Sequence, residues 1–385
     1  MTLEQILGAA VMLLFLAGIF LTVLYARAGT GLLAPAWNRA VWALISAIAV
    51  PFGRRRTAIL SFAGPIIVVL LIGFWALGLT VGAALVIHPE LGTAIRPSSG
   101  SVSTDFVTAL LVAGNSLSVV GSGDYAPHTS GTRLLFLLNS FIGASVLSLV
   151  LSYLVQVYSA LRERNALAFN IDLMTGGTGD AAEMLARLGP DGDFGEATSE
   201  LGNLARTLAA TKEAHHFYPL LFYFRFREPL YSVPRFSFIL LDLTTLIDTA
   251  LDTGKHGTFV RSAPVGSLRR GALILLETLD RHFRTVDAPF PTAARTQSSA
   301  GRYAKALDTL RQAGVEAHPD DASYADRRNR WEPLVLRVGL ALGDEIDEID
   351  RRPPQDEAML ASSVGVPTGR ELDPSTRHSP QRHSG

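Results

Sequence analysis

The stretch NSLSVVGSGDYAPHTSG, Asn115 to Gly131, decides how this chain is built. It lies between two long apolar blocks, yet it is only half apolar, and it sets Gly121, Gly123 and Asp124 close together. Irregular backbone at membrane depth is tolerated only where protein buries it or where it lines a watery path. Phe106 to Val120 carries no charge, but about fifteen residues form too short a helix to cross a hydrocarbon core of roughly 30 Å. The blocks on either side place both of its ends on one side of the membrane, so the segment dips in and returns or stays out. Ser103 or Thr104 can cap a helix start, with Asp105 well placed for the helix dipole. The glycines then break the helix. The expectation is a half-helix followed by extended backbone leading back out, with a merely interfacial loop as the alternative.

The flanks supply the frame. Ile6 to Tyr25, Thr57 to Ile87 and Leu134 to Leu161 contain no charged residue, and each is long enough to span, since a crossing helix needs roughly 20 apolar residues. The first block follows MTLEQ, which has no Lys or Arg, so it reads as a retained span and not as a signal peptide. Ala40 to Phe52 is uncharged but too short to cross, and with Trp37 and Trp42 nearby it is expected at the inner interface. Arg27, Arg39, Arg54, Arg55 and Arg56 separate the first two blocks, while Arg162 and Arg164 follow the third. The positive-inside rule puts those segments, and everything after Leu161, in the cytoplasm, with the N-terminus outside and the chain in a plasma or inner membrane. The 385 residues are 48% hydrophobic and 18% charged, which fits a membrane protein carrying a soluble part. A net charge of −1 gives no reason to expect nucleic acid as a partner, and the absence of Cys excludes disulfides and thiolate chemistry.

A span, a short helix, SVVGSGD at Ser118 to Asp124 and a long following helix together resemble the potassium-channel pore module, whose motif is T-T-V-G-Y-G-D. The resemblance covers about Thr57 to Leu161 and implies a selectivity filter at Ser118, Val119, Val120, Gly121, Ser122 and Gly123, with Asp124 at the outer mouth. In such a filter, carbonyl oxygens replace the water shell of a permeating cation, and glycine lets successive carbonyls turn inward. The transported ion would be K+ or Na+, held at the filter carbonyls only, with no other cofactor or metal. One loop per chain implies a homotetramer in membrane lipid. Val119 stands where the family has a Thr ligand, and Ser122 where it has a Tyr prop, so strict potassium selection is not implied.

In the last block, Ser145, Ser148, Ser152, Gln156 and Ser159 recur at three- and four-residue steps. They form one polar stripe, which lines a conduit or lets helices pack closely. Gly143 falls near the family's hinge-glycine position.

The expected fold class is an all-α membrane protein, with transmembrane helices, a re-entrant pore helix and a filter loop, followed by an α-helical cytoplasmic domain. Its parts are residues 1–56 (first span and interfacial helix), 57–165 (pore module), 166–350 (helical domain) and 351–385 (disordered tail). Helices are expected at Ala181–Leu188, Ala197–Ala214, Phe236–Leu251, Ser267–Arg284, Gly301–Ala313 and Trp331–Asp350. Asp242 and Asp248 speak against a fourth span in the third of these. Gly176, Gly177 and Gly179 lack the Lys-Ser/Thr of a phosphate loop and read as a joint. His215 and His216 are adjacent and cannot share a helix face, which disfavours a metal site. The aromatics around Arg225, Arg227 and Arg235 fit a membrane interface, a neighbouring subunit or a folded core with snorkelling arginines. The acidic run Gly343 to Asp350 lacks the spacing of a calcium loop. No ligand of this domain is indicated.

The functional expectation is a cation channel, with a membrane-anchored sensor or scaffold on a degenerate pore module as the alternative. GxGD also marks intramembrane aspartyl proteases, but the second membrane Asp which that chemistry requires is missing, so no enzyme is expected.

Overall fold

The computed structural model describes residues 2–25, 31–118, 123–283, 293–344 and 349–350. The expected tail at 351–385 and four of the filter positions, Val119 to Ser122, lie outside the described residues.

Each apolar block becomes a helix. α1 (Leu3–Val23) starts at a capping box, in which the Thr2 hydroxyl accepts from Gln5 N at 3.3 Å and Gln5 Oε1 accepts from Thr2 N at 2.9 Å. α2 (Ala34–Ala49) begins before the segment expected at Ala40–Phe52, with Pro35 in its first turn, and a short α3 (Arg56–Leu60) follows. α4 (Ala63–Ile87) packs against α1 through small residues. A Cβ at Gly8 would come 2.6 Å from the Gly82 carbonyl, so the two backbones approach as closely as glycine allows. Where the start of α1 meets the end of α4, His88 Nδ1 meets Glu4 Oε1 at 2.7 Å, and Gln5 donates to Glu90 at 2.9 Å. Next come strand β1 (Ile95–Pro97), the short helix α5 (Phe106–Leu117), strand β2 (Tyr125–Pro127) and α6 (Ser130–Met174). Among the described residues, three helical stretches are long and apolar enough to cross a membrane: Leu3–Val23, Arg56–Glu90 (α3, α4 and the turn after it) and Ser130–Met174.

α6 is one continuous helix of 45 residues, about 68 Å long at 1.5 Å per residue, so it runs well past a hydrocarbon core of about 30 Å. Beyond the apolar block it buries Leu167, Ala168 and Ile171 in the core of the C-terminal region. The boundary expected between residues 165 and 166 therefore falls inside a helix shared by both parts.

The C-terminal region is helical, as expected: α7 (Ala181–Leu188), α8 (Ala197–Phe217), α9 (Val233–Ala250), α10 (Thr253–Val260), α11 (Ala263–Phe283), α12 (Ala293–Gln312) and α13 (Asp321–Leu342). α10 escapes the periodicity reading because two glycines interrupt its eight residues. α13 starts ten residues before the expected Trp331, at a cap formed by Asp320 on Ser323 N at 3.1 Å. α9 is the centre: every residue but Asp248 is buried. A helix apolar on all sides is either a span or the middle of a core. Here its acids decide, since Asp242 Oδ1 accepts from Tyr324 at 2.7 Å and from Arg328 at 3.0 Å, both buried side chains of α13. Asp248 pairs with Arg269 and Arg327.

The first part of the aromatic run after α8 is internal, while Arg227 and Glu228 are exposed. Leu220, Leu221, Tyr223 and Phe224 are buried in one cluster with Trp42, Leu60, Ala63 and Leu161, which joins the C-terminal region to α2, α3, the start of α4 and α6.

Candidate functional site

The short helix is capped by Asp105, and not by the Ser103 or Thr104 anticipated from the sequence. Asp105 Oδ1 accepts from Thr108 N at 2.8 Å, and its other oxygen is bound by the Ser103 and Thr108 hydroxyls. The Ser103 hydroxyl first, then the Thr108 amide and hydroxyl, lower the Asp105 pKa to about 2, so a fixed anion sits at the positive end of the helix dipole. α5 has 12 residues, about 18 Å, too few to cross. It buries Ala109, Val112 and Ala113 against Ala83, Ala84 and Ile87 of α4.

The helix stops at Leu117. Ser118 is already extended, with φ −76° and ψ 152°, so the chain leaves helical geometry where the apolar run meets the glycines. Description resumes at Gly123, whose Cα lies against Asn115; a Cβ there would come 2.8 Å from Asn115 Nδ2. Asp124 is exposed, and its carbonyl accepts from Ser98 N at 2.6 Å. β1 and β2 then pair antiparallel, Ile95 with Pro127 and Pro97 with Tyr125. The Tyr125 hydroxyl accepts from Ser103 N at 3.0 Å and donates to Ser103 O at 3.1 Å. The residues leading into α5 and those leaving the loop are thus tied together at one end.

α6 supports the far end of α5. Asn139, buried within an apolar block, donates from Nδ2 to Ser116 Oγ at 3.0 Å, and Ser116 passes its own proton to Ala113 O at 2.8 Å. Gly143 meets the Leu117 carbonyl so closely that any Cβ would overlap the oxygen and its carbon. Of the sequence-derived stripe, Ser145, Ser148, Ser152 and Gln156 are exposed and Ser159 is half-buried, while Val150, Tyr153, Val157 and Ala160 bury the other face of α6. The stripe is therefore free to face water, a neighbour or lipid.

Residues 66–160 match a family model described as ion channel. Over this segment the chain is similar to a potassium-channel-like pore domain. The match takes in most of α4, all of α5 and the apolar length of α6, about a quarter of the chain. It ends just before Arg162, so it assigns nothing to the C-terminal helices. Comparison with curated proteins and with solved structures gives no match for the chain. A pore domain points to transport and not to catalysis. Among the described residues no group of three or more His, Asp and Glu could hold a metal ion. His215 is buried with Nδ1 on Thr211 O at 2.8 Å, and burial, with Arg164 nearby, lowers its pKa to about 3.

Four residues that matter here were not singled out from the sequence. Asn139 carried a signal, because a lone amide in a membrane block is costly unless bonded. Ser116, Asn115 and Tyr125 carried none, since their roles depend on how the loop folds back.

Proposed function

We propose that the chain forms a cation channel, in which four pore domains in a membrane surround a central path for K+ or for monovalent cations with weak selection. The re-entrant path of α5 carries this reading. It presents Ser118 in extended form at the negative end of a half-helix, with the filter residues Val119 to Gly123 next in sequence. Carbonyls of that stretch would replace the hydration shell, and Asp124 would raise the local cation concentration at the outer mouth. Ser145, Ser148, Ser152 and Gln156 would line the path on the other side of the filter. The basic residues between α1 and α4 and after Leu161 support an N-terminus outside and a cytoplasmic C-terminal domain, in a plasma or inner membrane. Because α6 continues into that domain's core, a rearrangement there would pull directly on the pore-lining helix.

The chain has no cysteine, so single cysteines report cleanly. Ser148→Cys and Ser152→Cys are expected to react with a water-soluble thiol reagent and to lose cation flux in liposomes, whereas Leu151→Cys is not. Equal, negligible modification at all three positions would contradict a watery path along the stripe. Val119 and Ser122 favour a second reading, a non-conducting sensor or scaffold. Flux gained only when Val119→Thr and Ser122→Tyr are combined would support that reading for the native chain.

A further inference from the structure

Arg164 lies on α6 three residues past the apolar block, and its side chain is 98% removed from solvent, at 2% exposure. A guanidinium taken out of water is costly unless its charge is compensated. Nη1 donates to Leu221 O at 3.0 Å and Nη2 to Phe224 O at 3.1 Å, but Nε has no partner. No carboxylate among the described residues stands close enough to act on it.

Arg164 lines a cleft of about 30 Å³ together with Thr57, Arg225, Arg227, Glu228 and Asp344. Phe224 to Glu228 also wall a groove of about 320 Å³, whose other side is Ser61 and Pro65 after α3 and Tyr158 and Leu161 of α6. Arg56 reaches the same place. Its Nε is buried without a partner, and a Cβ on Gly343 would lie 3.4 Å from its Nη2 and 2.8 Å from Arg225 Nη1. Among the described residues, Asp344 and Glu228 are the acids that line the cleft beside these arginines. Asp344 is already engaged by Arg225 and by Ser232 Oγ at 2.9 Å, and Glu228 is exposed. One trapped water would satisfy the Arg164 Nε–H, but it would leave the charge unanswered.

We propose that this cleft and groove hold a phosphate group, one oxygen of which reaches Arg164 while Arg227 meets the others from the open side. Arginine suits that chemistry because its planar fork donates in pairs to phosphate oxygens. The groove's second wall belongs to membrane-crossing helices and is largely apolar, which favours a phosphate carried by a lipid over a free anion. The site sits where α6 leaves the membrane block, so its occupant would bear on the joint between pore domain and C-terminal region.

Binding is measured on the full chain in neutral detergent, with dioleoyl phosphatidic acid, dioleoylglycerol and inorganic pyrophosphate as probes. No flux is needed, so the outcome stands apart from whether the pore conducts. Phosphatidic acid is expected to bind and raise the melting midpoint, and dioleoylglycerol to do neither. Arg164→Gln and Arg227→Gln should each weaken phosphatidic acid about tenfold. Arg227 is exposed, so Arg227→Gln decides the matter if Arg164→Gln does not fold. Pyrophosphate binding with the same arginine dependence would keep the phosphate site and assign it to a soluble ligand. Equal binding of phosphatidic acid and dioleoylglycerol, no binding of either phosphate probe, or binding unaffected by Arg227→Gln would overturn the proposal.

Discussion

Gly143→Ala sets two opposing effects against each other. Ala is the better helix former by about 1 kcal/mol, so a glycine deep in a 45-residue helix is a candidate for stabilisation. At Gly143, however, the added methyl would overlap the Leu117 carbonyl, which is backbone and cannot rotate aside. Overpacking of a tight contact costs about 1–3 kcal/mol, and a rigid obstacle puts this case at the upper end. The net expectation is a loss of about 2 kcal/mol, roughly a thirtyfold fall in the ratio of folded to unfolded protein. Gly73→Ala is the matched control, because a Cβ there meets nothing within 4 Å; it should be neutral or slightly stabilising. Reversible unfolding in detergent compares the two. Since Leu117 leads directly into the proposed filter sequence, Gly143→Ala should also alter cation flux at temperatures where the protein stays folded. If Gly143→Ala is as stable as Gly73→Ala and conducts unchanged, then α6 does not brace α5 at this point, and a role as a freely bending hinge gains ground.

Further perturbations test neighbouring parts. Asn139→Ala should cost about 1 kcal/mol through its bond to Ser116, and a double-mutant cycle with Ser116→Ala should return a coupling of about 0.5–1.5 kcal/mol, where zero coupling would deny the contact. Tyr125→Phe removes both bonds to Ser103 and should loosen the loop's closure, read as faster amide exchange at Ile95, Arg96, residue 125 and Ala126, whereas unchanged protection would argue against the tie. Burial lowers His215 to about 3, below an unfolded value of about 6.5. The unfolded chain therefore binds the extra proton first, and the stability is present above pH 6.5 and lost as pH falls from there towards 3. His215 alone should contribute a slope of about 1.4 kcal/mol per pH unit in that window, and His215→Phe should flatten the curve measured by pH-dependent unfolding. An unaltered slope would mean that the ring is already solvated.

Much of this architecture is legible in the residues because the membrane leaves few options. An uncharged block either crosses or it does not, and about fifteen apolar residues between two crossings are too few for a third, so they dip in and return or stay out. Asp242 and Asp248 correctly mark α9 as a core helix, since two acids in a lipid-facing span would have no such partners as Tyr324, Arg328, Arg269 and Arg327. What escaped depends on tertiary approach. Hydropathy ends the last crossing at Leu161, but packing of Leu167, Ala168 and Ile171 carries the helix on to Met174. Gly143 reads as a hinge by position, and only the neighbouring Leu117 carbonyl reveals it as a close contact. The aromatic run near Arg225 is ambiguous by composition, and its buried leucines and Arg164 settle it as a joint.

The central claim is most directly tested by the zero-current potential of wild-type protein in planar bilayers under a K+ gradient and then under bi-ionic K+ and Na+. A potential that follows the cation gradient, with relative permeability between K+ and Na+ measurable and current abolished by Gly121→Ala, is the predicted result. The absence of cation current from folded, reconstituted protein, or a current indifferent to Gly121→Ala, would contradict it.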